Sequence, residues 1–218
     1  MSNAVHIEVI SDFACPWCLI GKRRLGKVIA QRPDLEITLT WRPYQLNPDM
    51  PREGRNRREY YREKFGEAEA KNMHEALADA GEEDGIVFCD TPDAIAPNTL
   101  SAHVLMSWAL NDKAVDHDVL AEKLFHAHHI ACENIGDHEV LARVAGEMGL
   151  DTGDVAEKLA GGIDEEAIIG QIQQWATKGV SSVPFYLING RYAISGAQTA
   201  DNLSAAFDKV VNAKEQQD

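Results

Sequence analysis

Two residues separate Cys15 from Cys18, and this spacing is typical of a redox dithiol. Residues 5–10 before them alternate apolar and polar side chains, which predicts a strand, and residues 19–25 after them predict a helix. At such a junction the first thiol lies at a helix N-terminus, where unpaired backbone N–H groups and the helix dipole favour a thiolate. The second thiol lies one turn further on the same face and can resolve a mixed disulfide formed by the first.

The two residues between the cysteines are suited to this position. Pro16 fits the first helical turn, where a missing backbone N–H costs nothing. Trp17 is expected at the site because of its place in the motif, whereas the other tryptophans are expected in the core. Both residues are predicted to tune the thiols and to contact a substrate.

A zinc site and an inert pair are the competing interpretations of this spacing. Zinc needs about two further ligands, usually a second close pair, and the remaining cysteines, Cys89 and Cys132, are single and far apart. The redox interpretation is therefore favoured. For Cys89 and Cys132 themselves we expect unpaired thiols, with a second disulfide or a coupling to the first pair as the alternatives.

Pro184 opens a second informative segment. It begins an apolar stretch that ends in the turn-forming pair Asn189-Gly190, and a short apolar stretch follows from Tyr192 to Ser195. This order predicts a β-hairpin over residues 185–195. An ordinary proline at a strand edge is the plain interpretation of Pro184.

Composition limits the function classes. The chain has 218 residues, 44% hydrophobic and 26% charged, and a formal net charge of −14, which argues against general binding to nucleic acid or anionic membranes. No apolar run approaches the roughly 18 residues of a membrane span, and the first residues lack signal-peptide features, so we expect a cytoplasmic protein. The basic stretch from Arg52 to Lys64 is expected to be a solvated helix with i,i+4 ion pairs.

Predicted strands occupy the two ends of the chain and predicted helices occupy the middle. The first helical segment is expected over residues 57–80 with Gly81 as its end, and Asn98 is a plausible N-cap for a later helix. The simplest architecture is an α/β thioredoxin-like domain formed by residues 1–54 and 179–218. An all-helical insertion would comprise residues 55–178, with the cysteine motif facing it across a cleft.

Five ordered motifs resemble those of the FrnE-type DsbA family of thiol–disulfide oxidoreductases over nearly the whole chain. They are Ser11–Lys22, Pro43–Pro48, Pro97–Thr99 with Ala102-His103, Val183–Phe185 and Ser195–Gln198.

The resemblance implies a thioredoxin domain with a helical insertion, and a protein-disulfide oxidoreductase activity. Cys15 would be the nucleophile and Cys18 the resolving thiol, without a cofactor other than this redox-active disulfide, and Val183 with Pro184 would form the family's cis-proline pair. One departure is Ser182, where Gly is expected, so the approach of a substrate backbone would differ. Glutathione remains open as a co-substrate beside protein or small-molecule thiols and disulfides.

Related families keep two other functions open. The 2-hydroxychromene-2-carboxylate isomerases and kappa-class glutathione transferases typically carry Ser where this chain has Cys15, which favours the oxidoreductase. A redox-sensing binding protein that uses the cysteines as a switch is the third hypothesis. The helical insertion offers a surface for a homodimer, which remains open.

Several histidines raise further hypotheses. His103, in the motif shared with Asn98, could line the cleft and assist proton transfer, or could be a hydrogen-bonded structural residue. The run of His126, His128 and His129 lacks a Glu or Cys at helical ligand spacing. We therefore expect a surface or cleft-lining cluster there and no metal site.

Overall fold

The computed structural model describes residues 4–215, with side chains described to residue 210. In chain order the elements are β1 (Ala4–Ser11), α1 (Pro16–Ala30), β2 (Glu36–Pro43), β3 (Arg55–Asn56), α2 (Arg57–Phe65), α3 (Glu67–Glu83), β4 (Ile95–Ala96), α4 (Leu100–Asn111), α5 (His117–His129), α6 (His138–Gly146), α7 (Thr152–Ala160), α8 (Glu165–Thr177), β5 (Phe185–Ile188), β6 (Tyr192–Ser195) and α9 (Ala200–Glu215).

The main sheet has four strands in the order β2-β1-β5-β6. The central strand β1 pairs in parallel with β2, from Ala4 opposite Glu36 to Ser11 opposite Pro43, and antiparallel with β5. Strands β5 and β6 form the predicted hairpin, with Phe185 opposite Ser195. The carboxyl end of β1 therefore lies beside the start of β5, and the cysteine motif follows directly after it.

Helix α1 packs closely over β5. A side chain at Gly21 would place its Cβ within 3.0 Å of both the Tyr186 hydroxyl and Pro184 Cγ, so this turn of α1 needs glycine. Helices α1 and α9 contact each other, and α4 and α8 contact β2. Since α1 begins at the cysteine motif, this close packing sets the distance between the thiols and Pro184.

The expected fold class is confirmed: the chain is a mixed α/β protein with a thioredoxin-like sheet, and helices α2 to α8 come between β2 and β5. Buried side chains from both the sheet and these helices belong to one contiguous hydrophobic cluster. The division at residues 54/55 and 178/179 stays a prediction.

Three boundaries differ from the sequence prediction. The helix expected over residues 57–80 is two helices, because Gly66 adopts a φ of 85° and a ψ of 158° between them. Helix α3 continues past Gly81 to Glu83. At α4 the N-cap position is Thr99, not Asn98, although Asn98 Oδ1 does accept a hydrogen bond from Leu100 N at 3.0 Å.

The basic stretch is helical and largely exposed only from Arg57 onward, in α2, and its printed ion pairs are not the expected i,i+4 pairs: Arg55 pairs with Glu63, eight residues on. Arg52 forms a bidentate pair with Glu165, at 2.6 Å for both contacts, and Arg58 pairs with Asp90. These side chains instead link the stretch to other parts of the chain. Over residues 4–215, no helix is long and apolar enough to cross a membrane.

Candidate active site

Cys15 is the N-cap residue of α1, as the sequence predicts. Its backbone is extended (φ −87°, ψ 112°), and Pro16 occupies the first helical turn. Cys15 N–H donates to Asp12 O, and Cys18 N–H donates to Cys15 O, both at 3.0 Å. Both cysteines are free thiols and are buried, with exposed fractions of 4% and 2%. Trp17 between them is 37% exposed.

The thiol of Cys15 faces the start of β5. Cys15 Sγ lies 3.7 Å from the carbonyl oxygen of Val183 and donates to it. The Val183–Pro184 peptide bond is cis, the isomer that the family resemblance implies. The Pro184 carbonyl accepts a hydrogen bond from Gly196 N–H at 2.8 Å. The structure thus brings Cys15, Cys18, Val183 and Pro184 together, as predicted.

Burial raises the pKa of the Cys18 thiol well above its ordinary value, and its contact with Cys15 raises it further. The Ser11 hydroxyl lies near this thiol, and its interaction lowers the pKa. Ser11 Oγ is buried and forms no well-formed hydrogen bond within the described part of the chain. Since the charged form of a thiol is disfavoured by burial, Cys18 is held protonated until a partner removes its proton.

A buried carboxylate supports the loop before the cysteines. Asp12 is 1% exposed. Its Oδ1 accepts from Ala14 N–H at 3.1 Å, and its Oδ2 accepts from Leu46 N–H at 2.7 Å. These bonds join the cysteine loop to the loop after β2, because Leu46 belongs to the Pro43–Pro48 motif.

His103 and Asn98 hold this second loop. The ring of His103 donates from Nε2 to the carbonyl oxygen of Tyr44 at 2.9 Å, and the same nitrogen lies 3.7 Å from Asp12 Oδ1. Asn98 Nδ2 donates to Met50 O at 2.6 Å. Of the two interpretations of His103, these contacts favour the hydrogen-bonded structural residue. A substrate-binding role for either residue stays a prediction.

The expectation for the histidine run is wrong for two of its three members. His126 is exposed, but His128 and His129 are each only 3% exposed. Burial lowers the pKa of His128 to about 4 and that of His129 well below its usual value. The His129 ring donates from Nε2 to Phe13 O at 3.0 Å, two residues before Cys15. In the part of the chain that the structure describes, no group of three or more potential ligands could hold a metal ion.

The expectation of unpaired thiols at Cys89 and Cys132 is also wrong. They form a disulfide, with Cα atoms 5.6 Å apart across 43 positions. The separation in sequence conceals their proximity, because the end of α5 lies beside the segment that follows α3, where Cys89 N–H donates to His129 O at 2.8 Å.

Sequence reasoning missed three polar residues of the site: Ser11, Asp12 and Tyr186. The Tyr186 hydroxyl is buried and has no hydrogen-bond partner among the described residues. Burial, followed by the nearby Cys18 and Cys15, raises its pKa. Ser11 and Asp12 belong to the Ser11–Lys22 motif of the family resemblance, so the sequence did contain a signal for these two residues. Tyr186 could have been found from the strand period, since it lies two residues after Pro184 and points to the same face.

A protein-family comparison decides the classification. The model of the DsbA-like thioredoxin domain matches residues 6–208. The chain belongs to this family. Among curated proteins, the uncharacterized protein YwbO of Bacillus subtilis is 23% identical over 214 residues, covering 95% of this chain and 96% of YwbO.

Solved structures agree with this fold. A probable DsbA oxidoreductase from Streptomyces coelicolor is 25% identical, with a TM-score of 0.84 over 94% of this chain and 89% of that one. A 2-hydroxychromene-2-carboxylate isomerase is 14% identical, with a TM-score of 0.71 over 98% and 99%. The cytosolic disulfide reductase DsbM from Pseudomonas aeruginosa, solved with GSH, is 15% identical, with a TM-score of 0.60 over 97% and 98%. At this identity the last two likenesses concern the fold.

Proposed function

We propose that this DsbA-like protein is a thiol–disulfide oxidoreductase in which Cys15 attacks and Cys18 resolves. The observation that carries the proposal is the placement of Cys15 as the N-cap of α1, facing the Val183 carbonyl beside a cis-proline. A thiol at a helix N-terminus is available as a thiolate. The second thiol is buried one turn away and stays protonated until it is needed.

The exchange proceeds in two steps. The Cys15 thiolate attacks one sulfur of a substrate disulfide, that S–S bond breaks, and the departing sulfur takes a proton. Cys18 then loses its proton and attacks Cys15 Sγ, which releases the second substrate sulfur as a thiolate. The substrate gains two electrons and the protein gains a Cys15–Cys18 disulfide. The reverse sequence oxidises a dithiol.

Residues around the thiols have separate roles in this proposal. Ser11 is the polar group beside Cys18 and stabilises its thiolate during resolution. Trp17, partly exposed next to Cys15, contacts the substrate. Asp12 is a positioning residue, because its carboxylate holds the backbone of the cysteine loop. The substrate class is thiols and disulfides, and the glutathione in the DsbM structure makes glutathione the first co-substrate to test.

The test is turnover in a dithiol-linked disulfide reduction assay. We expect turnover by the wild type, loss of turnover in Cys15→Ser, and accumulation of a mixed disulfide in Cys18→Ser. The Cys89→Ala/Cys132→Ala double variant, which also removes two sulfurs, is the matched control and should retain turnover. Retention of turnover by a chain that combines Cys15→Ser with Cys89→Ala and Cys132→Ala would contradict the proposal. Glutathione-dependent isomerase activity that survives in Cys15→Ser would favour the isomerase function.

The direction of exchange follows from the reduction potential of the Cys15–Cys18 pair. It is measured in glutathione redox buffers on the Cys89→Ala/Cys132→Ala variant, so that only one pair titrates. A value near the roughly −120 mV of strongly oxidising DsbA proteins would indicate a disulfide-forming role, and one near the roughly −270 mV of thioredoxin a reductase.

A further inference from the structure

The second disulfide is partly accessible. Cys89 and Cys132 are each neither buried nor fully exposed, and Ala131 beside Cys132 is exposed. The bond lies between the segment after α3 and the end of α5, outside the Cys15–Cys18 pair. Neither cysteine of this disulfide is therefore enclosed in the core, in contrast to Cys15 and Cys18.

A cation faces one of its two sulfurs. Both terminal nitrogens of the Arg57 guanidinium lie 3.7 Å from Cys89 Sγ, and Nη2 also donates to the Cys89 carbonyl oxygen at 2.6 Å. Arg57 is partly buried, and this burial lowers its pKa. Among the described residues it forms no ion pair with a carboxylate, whereas the neighbouring Arg58 pairs with Asp90. A partly buried cation without a carboxylate in direct contact is costly, although the charge of Asp90 acts favourably on Arg57 without direct contact.

The two sulfurs are therefore unequal leaving groups. Cys132 Sγ accepts a hydrogen bond from the neutral hydroxyl of Thr91, at 3.5 Å. Cys89 Sγ faces the charged guanidinium, and bonds from charged donors are stronger than neutral ones. The His128 carbonyl oxygen, 3.6 Å from Cys89 Sγ, disfavours a thiolate at Cys89. Because this carbonyl is a neutral dipole and the guanidinium carries a full charge, the effect of Arg57 is the larger of the two. In disulfide exchange the better-stabilised thiolate leaves faster.

We propose that Cys89–Cys132 is a second thiol-exchange site, at which a low-molecular-weight thiol attacks Cys132 Sγ and Cys89 leaves as a thiolate paired with Arg57. The Cys89–Cys132 bond breaks, its electron pair passes to Cys89 Sγ, and the incoming sulfur bonds to Cys132. A second small thiol then attacks the sulfur of the bound thiol and forms a small-molecule disulfide. Cys132 leaves as a thiolate and takes a proton, and the two small thiols supply both electrons.

The experiment uses the full chain with Cys15→Ser and Cys18→Ser, so that only the second pair exchanges thiols. Its result is then independent of the proposed activity at Cys15. The protein is treated with reduced glutathione, quenched by alkylation, and analysed by peptide mass spectrometry. We expect reduction by millimolar glutathione, through an intermediate that carries glutathione on Cys132. An unreduced disulfide, or glutathione mainly on Cys89, would overturn the proposal.

The role of Arg57 is tested by Arg57→Gln in the same background, with Arg58→Gln as the matched control. The control removes the same charge from the next residue, which pairs with Asp90 and not with Cys89. We expect Arg57→Gln to slow glutathione reduction about tenfold and Arg58→Gln to leave it within about twofold. Equal rates in all three proteins would overturn the role of Arg57. Arg57→Lys keeps the charge and should partly restore the rate. This variant also tests the role of the charge if Arg57→Gln fails to fold.

Discussion

At the scale of single residues, the two thiols of the main pair are kept chemically different by their surroundings. Cys15 stands at the N-terminus of α1 and faces a carbonyl oxygen, while Cys18 is enclosed and has the Ser11 hydroxyl nearby. Burial is the largest cause of the raised Cys18 pKa. The order of the proposed exchange steps therefore follows from the surroundings of the two thiols, since the side chains themselves are identical.

Ser11→Ala should raise the pKa of Cys18 further, because the Ser11 interaction lowers it. The shift should be up to about one unit, the worth of one hydrogen bond to a thiolate. The measurement is the pH dependence of Cys18 alkylation in a chain with Cys15→Ser, Cys89→Ala and Cys132→Ala, where Cys18 is the remaining thiol.

Ser107→Ala is the matched control for this shift. Ser107 borders the same small cavity as Ser11, but its hydroxyl donates a hydrogen bond to Val104 O at 2.8 Å. It should leave the Cys18 titration unchanged. A Ser11→Ala titration identical to that of the parent would show that the hydroxyl does not act on Cys18.

The residue types and their spacing were enough to predict the dithiol and the position of Cys15 at a helix N-terminus, and the family resemblance implied the residues of the proline pair. The surrounding polar contacts were not predictable in the same way. The bonds of Asp12 reach Leu46, 34 positions away, and the Cys89–Cys132 bond spans 43. Such contacts depend on how distant segments pack, and the local periodicity of the sequence does not contain this information.

At the scale of elements, α5 ends in two buried histidines that must remain neutral. His128 and His129 lie in the last turn of the helix, and their rings are 4.5 Å apart between centroids. Charging either one would place a cation in a buried site near Arg57, which also lowers the pKa of both. The end of this helix is therefore sensitive to acid.

His128 should make the protein less stable as the pH falls from about 6.5 to about 4. Its folded-state pKa of about 4 lies below the ordinary value of 6.5, so the unfolded chain binds the additional proton in this interval and is favoured. The loss from one such histidine is about 3 kcal/mol when complete. Urea unfolding at several pH values measures it.

His128→Gln should weaken this pH dependence, and His126→Gln, an exposed residue of the same helix, should leave it unchanged. An equal slope of stability against pH in the wild type and His128→Gln would mean that the histidine titrates alike in both states.

Sequence periodicity predicted that the middle region is helical but joined α2 to α3. The polar pattern continues across Gly66, where α2 ends, and one isolated glycine gives only a weak signal of a break in a helix. The two-residue strands β3 and β4 were missed as well. They are too short for an alternating pattern, so their pairing is a consequence of the tertiary packing.

At the scale of the whole molecule, the sheet and the helices of the middle region are joined by one core. The ring of Phe125 in α5 contacts the ring of Phe13 in the cysteine loop and the ring of Trp41 in β2, at 5.1 and 6.1 Å between centroids. The buried cluster continues from these residues into both regions. We therefore expect the two regions to unfold together.

Thermal unfolding should show one cooperative transition by calorimetry, with the calorimetric and van't Hoff enthalpies equal. Circular dichroism and tryptophan fluorescence should report the same midpoint. Two separate transitions would contradict this expectation and would instead support residues 55–178 as an independently stable domain. The measurement would thus also test the predicted domain boundaries.

The sheet order has a consequence for the chain while it is being made. β1 and β2 are complete by residue 43, but Phe185, which pairs with the other edge of β1, follows Ser11 by 174 positions. At a synthesis rate of about 5–20 residues per second, that edge of β1 stays unpaired for roughly 9 to 35 seconds. During this interval Cys15 and Cys18 have left the ribosome, and the Val183 carbonyl that faces them does not yet exist. In the newborn chain the two thiols are therefore present before the carbonyl group that Cys15 faces.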